Sequence, residues 1–174
     1  MPQPQGASEE IHYGSGVYGP ERRGQRLSKY LTFALGGEEY GLEILKVREI
    51  IGLMEITNVP RMPEFVRGVI NLRGKVIPVV DLRLKFSMEK NADTQETCII
   101  VVDLGSMYMG VVVDRVSEVL DIADEEIEPT PSFGIDIDTS FILGIGKSKN
   151  KVVILLDINK VLTPEDIADV PKAS

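Results

Sequence analysis

The sequence predicts an all-β protein built as two small five-stranded barrels around a shared core, with short helical turns and a short carboxy-terminal helix. Three observations carry this: an internal duplication, short runs of branched and aromatic residues, and turn residues between those runs. The segment FVRGVINLRGKVIPVVDL (65–82) returns without a gap as FILGIGKSKNKVVILLDI (141–158), with Phe65/Phe141, Gly68/Gly144, Lys75/Lys151, Val76/Val152 and Asp81/Asp157 identical. A second pair, YLTFALGGEEYGLEILKVREII (30–51) and IIVVDLGSMYMGVVVDRVSEVL (99–120), matches at Leu35/Leu104, Gly36/Gly105, Gly41/Gly110, Val47/Val116 and Glu49/Glu118. The offset is 69 residues in this second pair (Gly41 to Gly110) and 76 in the first (Gly68 to Gly144), so one loop has gained seven residues. Self-similarity of this kind marks a duplicated structural unit.

The elements follow in order. Residues 1–27 are rich in Gly, Pro, Gln and Ser without a sustained period and read as a flexible tail. Residues 30–35 and 40–44 pair across Gly36-Gly37-Glu38-Glu39, whose glycines tolerate positive φ, and 47–51 form a third strand. The run Asn58-Val59-Pro60-Arg61-Met62-Pro63 breaks pairing, and residues 63–66 suit one helical turn with Pro at its start. Residues 66–71 and 76–80 make a hairpin across Arg73-Gly74, and the second copy places Lys149-Asn150 at that turn. Gly and Asn both enter the left-handed region readily, so the turn geometry is kept while its chemistry changes. VIPVV (76–80) and VVILL (152–156) are apolar throughout, as strands covered on both faces are. Five short twisted strands per copy curl into a barrel that hides its edges; whether each barrel draws only on its own copy stays open. Thr163-Pro164-Glu165-Asp166 reads as a cap, Pro at the first helical position and an acidic first turn; the domain thus spans 28–165, followed by a tail at 166–174.

Composition narrows the function. A chain of 174 residues suits one domain or two lobes sharing a core, and one of this size buries roughly 68–70% of its unfolded surface without a disulfide or metal staple. The single cysteine, Cys98, opens the run CIIVV and reads as a buried strand residue in a reducing compartment. Asp and Glu outnumber Lys and Arg by 27 to 19, and the net charge of −8 opposes binding to nucleic acid or anionic membrane. No apolar run approaches the ~20 residues of a membrane span and no secretory segment opens the chain, so a cytoplasmic protein is expected. The only histidine, His12, sits in the tail, which leaves the core without Ser-His or Cys-His nucleophiles and without an ordinary zinc site. Phosphate and dinucleotide loops are absent, so no cofactor is expected. A small two-carboxylate hydrolase on a β-barrel is the alternative. Its candidates are weak: Asp81 and Asp157 end strands where Asp caps the following turn, and Asp124-Glu125-Glu126 resembles a solvated acidic first turn.

A binding protein is therefore expected, and the duplication points to where it binds. Shared positions are scaffold; divergent polar positions at matched sites are candidates for function. Asn71-Leu72-Arg73-Gly74 departs most from its counterpart Lys147-Ser148-Lys149-Asn150, and Arg73 offers a planar five-donor fork that lysine cannot imitate. Glu49 closes a strand pattern, and Phe133 lies in the proline-stiffened loop Pro129-Thr130-Pro131-Ser132-Phe133-Gly134.

YLTFALGGEEYGLEILKVREI, FVRGVINLRGKVIPVVDLR and MGVVVDRVSEVL together resemble the CheW coupling-protein family of bacterial chemotaxis, from about Lys29 to about Leu162. The resemblance implies two five-stranded, SH3-like barrels around a common core. It also implies a non-enzymatic adaptor, recruited to receptor arrays, that links the cytoplasmic tip of a chemoreceptor to the histidine kinase CheA through that kinase's regulatory domain. Carried over residue by residue, it assigns receptor contact to Ile44, Val47, Glu49, Gly68 and Arg73, and a second, kinase contact to Phe133. Glu128 is acidic where some members carry a basic residue, and the tail before Lys29 exceeds the family core.

Overall fold

The computed structural model describes residues 26–89, 92–130 and 139–162. The first copy of the repeat supplies β1 (Leu27–Leu35), β2 (Glu38–Glu43), β3 (Val47–Gly52), β4 (Val66–Leu72) and β5 (Lys75–Asp81). The second supplies β6 (Cys98–Asp103), β7 (Tyr108–Val113), β8 (Arg115–Ala123), the two-residue β9 (Ile127–Glu128), β10 (Ile142–Ser148) and β11 (Lys151–Leu156). Of the expected tail only Arg26 and Leu27 fall within the described residues, and Leu27 already opens β1 as a buried residue. The expected carboxy-terminal helix from Thr163 lies outside them.

The two copies exchange strands. One sheet runs β3-β6-β7-β5-β4 and the other β8-β1-β2-β11-β10-β9, so the first two strands of each copy complete the barrel of the other. These are the two SH3-like barrels. The exchange is welded at two equivalent parallel pairings: Val79 of β5 opposite Gly110 of β7, and Leu155 of β11 opposite Gly41 of β2. Gly41 is forced by this contact, whereas Gly110 is forced by the neighbouring strand β6 of its own copy. A Cβ on Gly110 would lie 2.8 Å from Ile99 Cγ2, and one on Gly41 2.9 Å from Leu155 Cδ2, well inside van der Waals contact.

Strand alternation then divides the apolar residues among three cores. On β6, Ile99 and Val101 point into one barrel with Ile70, Ile77 and Val79, while Ile100 and Val102 point into a shared core with Phe33, Leu42 and Met109. The other barrel encloses Tyr30, Leu120, Ile122, Val153 and Leu155. CIIVV is apolar at every position because both of its faces are covered, and Cys98 is buried as expected. Val76 and Val152 depart from this expectation, at 37% and 61% exposed. The reason is geometric: β5 meets β7 only from Val79, and β11 meets β2 only from Val153, so both hairpins overhang the sheet at their turn ends.

Local chemistry ends the strands as anticipated in most places. Asp81 and Asp157 cap the one-turn helices α1 (Leu82–Lys85) and α2 (Ile158–Val161), accepting from the backbone N–H of Arg83 at 3.0 Å and of Asn159 at 3.1 Å. The turn at Pro63 closes with the Val66 N–H donating to the Pro63 carbonyl at 3.0 Å. Ile44, expected to end a strand, instead starts a 3₁₀ turn, Ile44–Lys46. This turn is where the chain leaves one barrel for the other, and a tight turn makes that crossing in three residues.

Gly68 sits at a bulge between Val66 and Gly68, mirrored by one between Ile142 and Gly144. Its φ is +138°, and a Cβ there would lie 2.0 Å from the Thr57 carbonyl oxygen, which itself accepts from the Val69 N–H at 2.9 Å. Gly68→Ala therefore combines a backbone clash with a conformation closed to L residues. We expect it to cost about 3 kcal/mol or more, lowering the melting temperature by roughly 10 °C; thermal unfolding followed by far-UV circular dichroism checks this.

Candidate functional site

The candidate site lies at the mouth of the barrel formed by β3 to β7. The β4–β5 turn has positive φ at both central positions, 53° at Arg73 and 87° at Gly74, which is the type I′ geometry that matches strand twist. Asn71 Oδ1 locks it by accepting from the Gly74 N–H at 2.7 Å. Arg73 is thereby aimed across the mouth, where its Nη2 donates to Glu49 Oε2 of β3. A second bulge makes this possible. In β3 the register advances from Val47↔Val102 to Glu49↔Val101, so one extra residue flips the faces that follow it. Val47 consequently packs on the shared core, whereas Ile51 packs inside the barrel; Glu49, opposite Val101, shares the inward face. A cleft of about 250 Å³ results, floored by Leu72, Ile77 and Val101 and rimmed by Arg48, Glu49, Arg73, Lys75 and Tyr108.

The structure thus brings Glu49 and Arg73 together. Ile44 and Val47 do not line the same cleft: both are half-buried against the shared core at the junction of the barrels. Gly68 is buried in β4 beneath Thr57, and Phe133 lies outside the described residues. The ion pair has a counterpart that sequence reading missed. Lys149 Nζ lies 3.2 Å from Glu118 Oε1, with Lys151 Nζ 3.7 Å from Glu118 Oε2. Glu118 is the match of Glu49 and Lys149 that of Arg73, so adding the two repeat offsets to one another's strands would have revealed it. Exposed pairs of this kind contribute only about 0–1 kcal/mol, so their value is orientation of the side chains and not stability.

A second cluster also escaped the sequence reading. Arg83, only 2% exposed, lies between three carboxylates. Its Nε and Nη2 donate to Asp81 Oδ1 and Oδ2 at 3.0 and 2.9 Å, Nη2 also to Asp93 at 3.1 Å, and Nη1 to Asp114 at 3.2 Å. Arg67 reaches Asp81 and Asp93 from outside, at 3.5 and 3.2 Å. The signal was Asp81-Leu82-Arg83 against Asp157-Ile158-Asn159: the second copy keeps the cap and drops the cation. Asp81 is therefore wholly engaged by its cap and its guanidinium partner, an arrangement unsuited to a catalytic carboxylate.

Two outcomes follow from this cluster. Arg83→Met leaves Asp81 buried without its partner and is expected to cost about 3–5 kcal/mol, measured by urea unfolding, while Asn159→Ala costs less than about 1 kcal/mol. Burial pushes the Asp93 carboxyl up, but hydrogen bonds and charge from Arg83 and Arg67 outweigh it and hold the group below the ordinary Asp value. Its folded pKa is depressed, so its contribution is fully present above the unfolded value of about 3.9 and is lost as pH falls through the lower folded value. Asp93→Asn should therefore melt below wild type at pH 6, with the gap closing as the pH is taken below 4; melting curves across that range test it.

Comparison with known proteins agrees with this architecture. A CheW-like domain model matches residues 29–166. The chain is 41% identical over 140 residues to the chemotaxis protein CheW of Klebsiella aerogenes, covering 80% of this chain and 84% of that one. It is 35% identical over 138 residues to CheW of Bacillus subtilis, covering 79% and 88%. The crystal structure of the scaffolding protein TtCheW from Thermoanaerobacter tengcongensis superposes with a TM-score of 0.72 at 38% identity, covering 80% of this chain and 94% of that one.

Proposed function

The chain belongs to the CheW family of chemotaxis scaffold proteins, and on that footing we propose that it is a non-enzymatic adaptor holding a chemoreceptor's cytoplasmic tip against the histidine kinase CheA. The observation that carries the reading is the span of the match, residues 29–166, which takes in both barrels and leaves no stretch of the described residues for a separate catalytic unit. Among the described residues no helix is long and apolar enough to cross a membrane.

In this reading the receptor's helical hairpin lies over the barrel junction and the neighbouring mouth. The exposed parts of Ile44 and Val47 supply apolar anchoring, and Glu49 and Arg73 set orientation. Gly68 acts through the β4 bulge, which seats the strand that carries the Arg73 turn. Phe133 supplies a second contact, to the kinase. The kinase responds because receptor states differ in how they seat on the adaptor, which needs differential contact and not a shape change in the adaptor itself.

Arg73→Asp tests the reading. The substitution places two carboxylates at the mouth, while Asp tolerates the left-handed backbone of the turn, so folding is spared. Binding to a receptor cytoplasmic fragment should weaken about tenfold, equivalent to ~1.4 kcal/mol, with loss of kinase activation and a nearly unchanged circular dichroism spectrum and melting temperature. Normal binding would place the receptor elsewhere; unfolding would make Arg73 structural.

A further inference from the structure

The mouth of the first barrel holds a feature that the Glu49–Arg73 pair does not use. Tyr108, at the start of β7, has Arg48 Cζ 5.1 Å from its ring centroid and Lys75 Nζ 4.8 Å from it. Both cations are exposed, and neither has a carboxylate partner among the described residues. This is unusual company in a chain with a net charge of −8. The ring stands between two clefts, the mouth of about 250 Å³ and a neighbouring one of about 280 Å³ lined by Val76, Pro78 and Met107.

The duplication supplies a control within the molecule. At the matched place on the second barrel, Ser117 stands for Arg48 and Glu39 for Tyr108, while Glu118, Lys149 and Lys151 match Glu49, Arg73 and Lys75. Over these five matched positions the first barrel carries a formal charge of +2 and the second carries 0. Glu39 is moreover occupied by Arg115, at 3.5 Å. The floors differ as well, Leu72, Ile77 and Val101 of the first mouth being matched by Ser148, Val153 and Thr32, so the cationic aromatic rim and the apolar floor occur together in the first barrel and not in the second, a difference the shared turn and strand scaffold does not require. An aromatic face flanked by two unpaired cations above an apolar floor does account for it: the ring holds the guanidinium in place, and its fork stays free for a bidentate acceptor.

We propose that Arg48, Tyr108 and Lys75 form a carboxylate subsite that takes an acidic side chain of the receptor's helical hairpin, beside the part of the helix that meets Glu49 and Arg73. This rests on the reading of the chain as a receptor adaptor and adds a residue-level determinant of which receptors it accepts. Arg48 supplies the fork, Lys75 a point charge, and Tyr108 a surface against which both are ordered. The second barrel, with Glu39 at the position of Tyr108, repels the same group.

The test is titration of the full chain with a receptor cytoplasmic hairpin fragment and, separately, with the regulatory domain of CheA, at several salt concentrations. Arg48→Ser and the double variant Arg48→Ser/Tyr108→Glu, which install the second barrel's residues, are expected to lower receptor affinity about threefold and tenfold or more, with a flatter salt dependence and unchanged kinase binding. The single variant keeps the test valid if the double variant is less stable. Lys75→Glu is then paired with receptor fragments in which exposed tip acids are changed one at a time to Lys. One receptor variant should bind wild type poorly and regain affinity for Lys75→Glu. Failure of wild type to bind any receptor fragment would overturn the adaptor reading itself. Wild-type binding that is unchanged in Arg48→Ser, or a loss confined to the kinase arm, or no rescuing receptor variant, would overturn the subsite alone.

Discussion

The parallel pairing of β5 with β7, and of β11 with β2, is the constraint on which the rest of the structure depends. Each brings the last strand of one copy against the second strand of the other, and between β11 and β2 the approach is so close that Gly41 has no room for a Cβ. Because these contacts cross between copies, neither barrel is complete without both halves of the chain. They also put β5, β6, β7 and β11 between a barrel interior and the shared core, so apolar residues are buried on both faces of these strands. Burial of that shared core, which draws on both copies, is a main favourable term in folding.

The bulges at the mouth convert this scaffold into a site. An extra residue in β3 sends Val47 toward the shared core and Glu49 toward the barrel interior, although even spacing would have put both on one face. The type I′ turn brings Arg73 to Glu49, and the equivalent turn brings Lys149 to Glu118. Two mouths of one geometry differ in their rims, and the difference is electrostatic: one is balanced, the other positive with an aromatic face. Duplication thus supplied two surfaces that have diverged in the charge of their rims and in the floor beneath, Leu72, Ile77 and Val101 against Ser148, Val153 and Thr32.

The Arg83 cluster shows divergence of another kind. Both copies keep the Asp cap at the end of the strand, but only the first adds a buried cation, with Asp93 and Asp114 completing its partners. A buried ion pair repays its desolvation only when its hydrogen bonds are filled, and here the guanidinium donates to three carboxylates. The cluster ties the residues around Asp93 to the first helical turn, tertiary bracing that the second copy does without.

The sequence by itself determined the duplication, the hairpin turns, the capping aspartates and the apolar runs, because these follow from local rules of spacing, φ and side-chain reach. Resemblance in FVRGVINLRGKVIPVVDLR and its companions added the family, and divergence between the copies singled out Arg73. The tertiary structure alone decided the exchange of strands, because pairing within a copy and pairing between copies satisfy the same local patterns and differ only in which faces end up covered. It also decided that Val76 and Val152 overhang the sheet, that Gly68 is held under the Thr57 carbonyl, and that Ile44 and Val47 belong to the barrel junction while Glu49 faces Arg73. Bulges shift faces by a single residue, and no periodicity in a sequence records where one falls. The meeting of Arg48, Lys75 and Tyr108 has the same origin: three residues from three strands, brought together by long-range register.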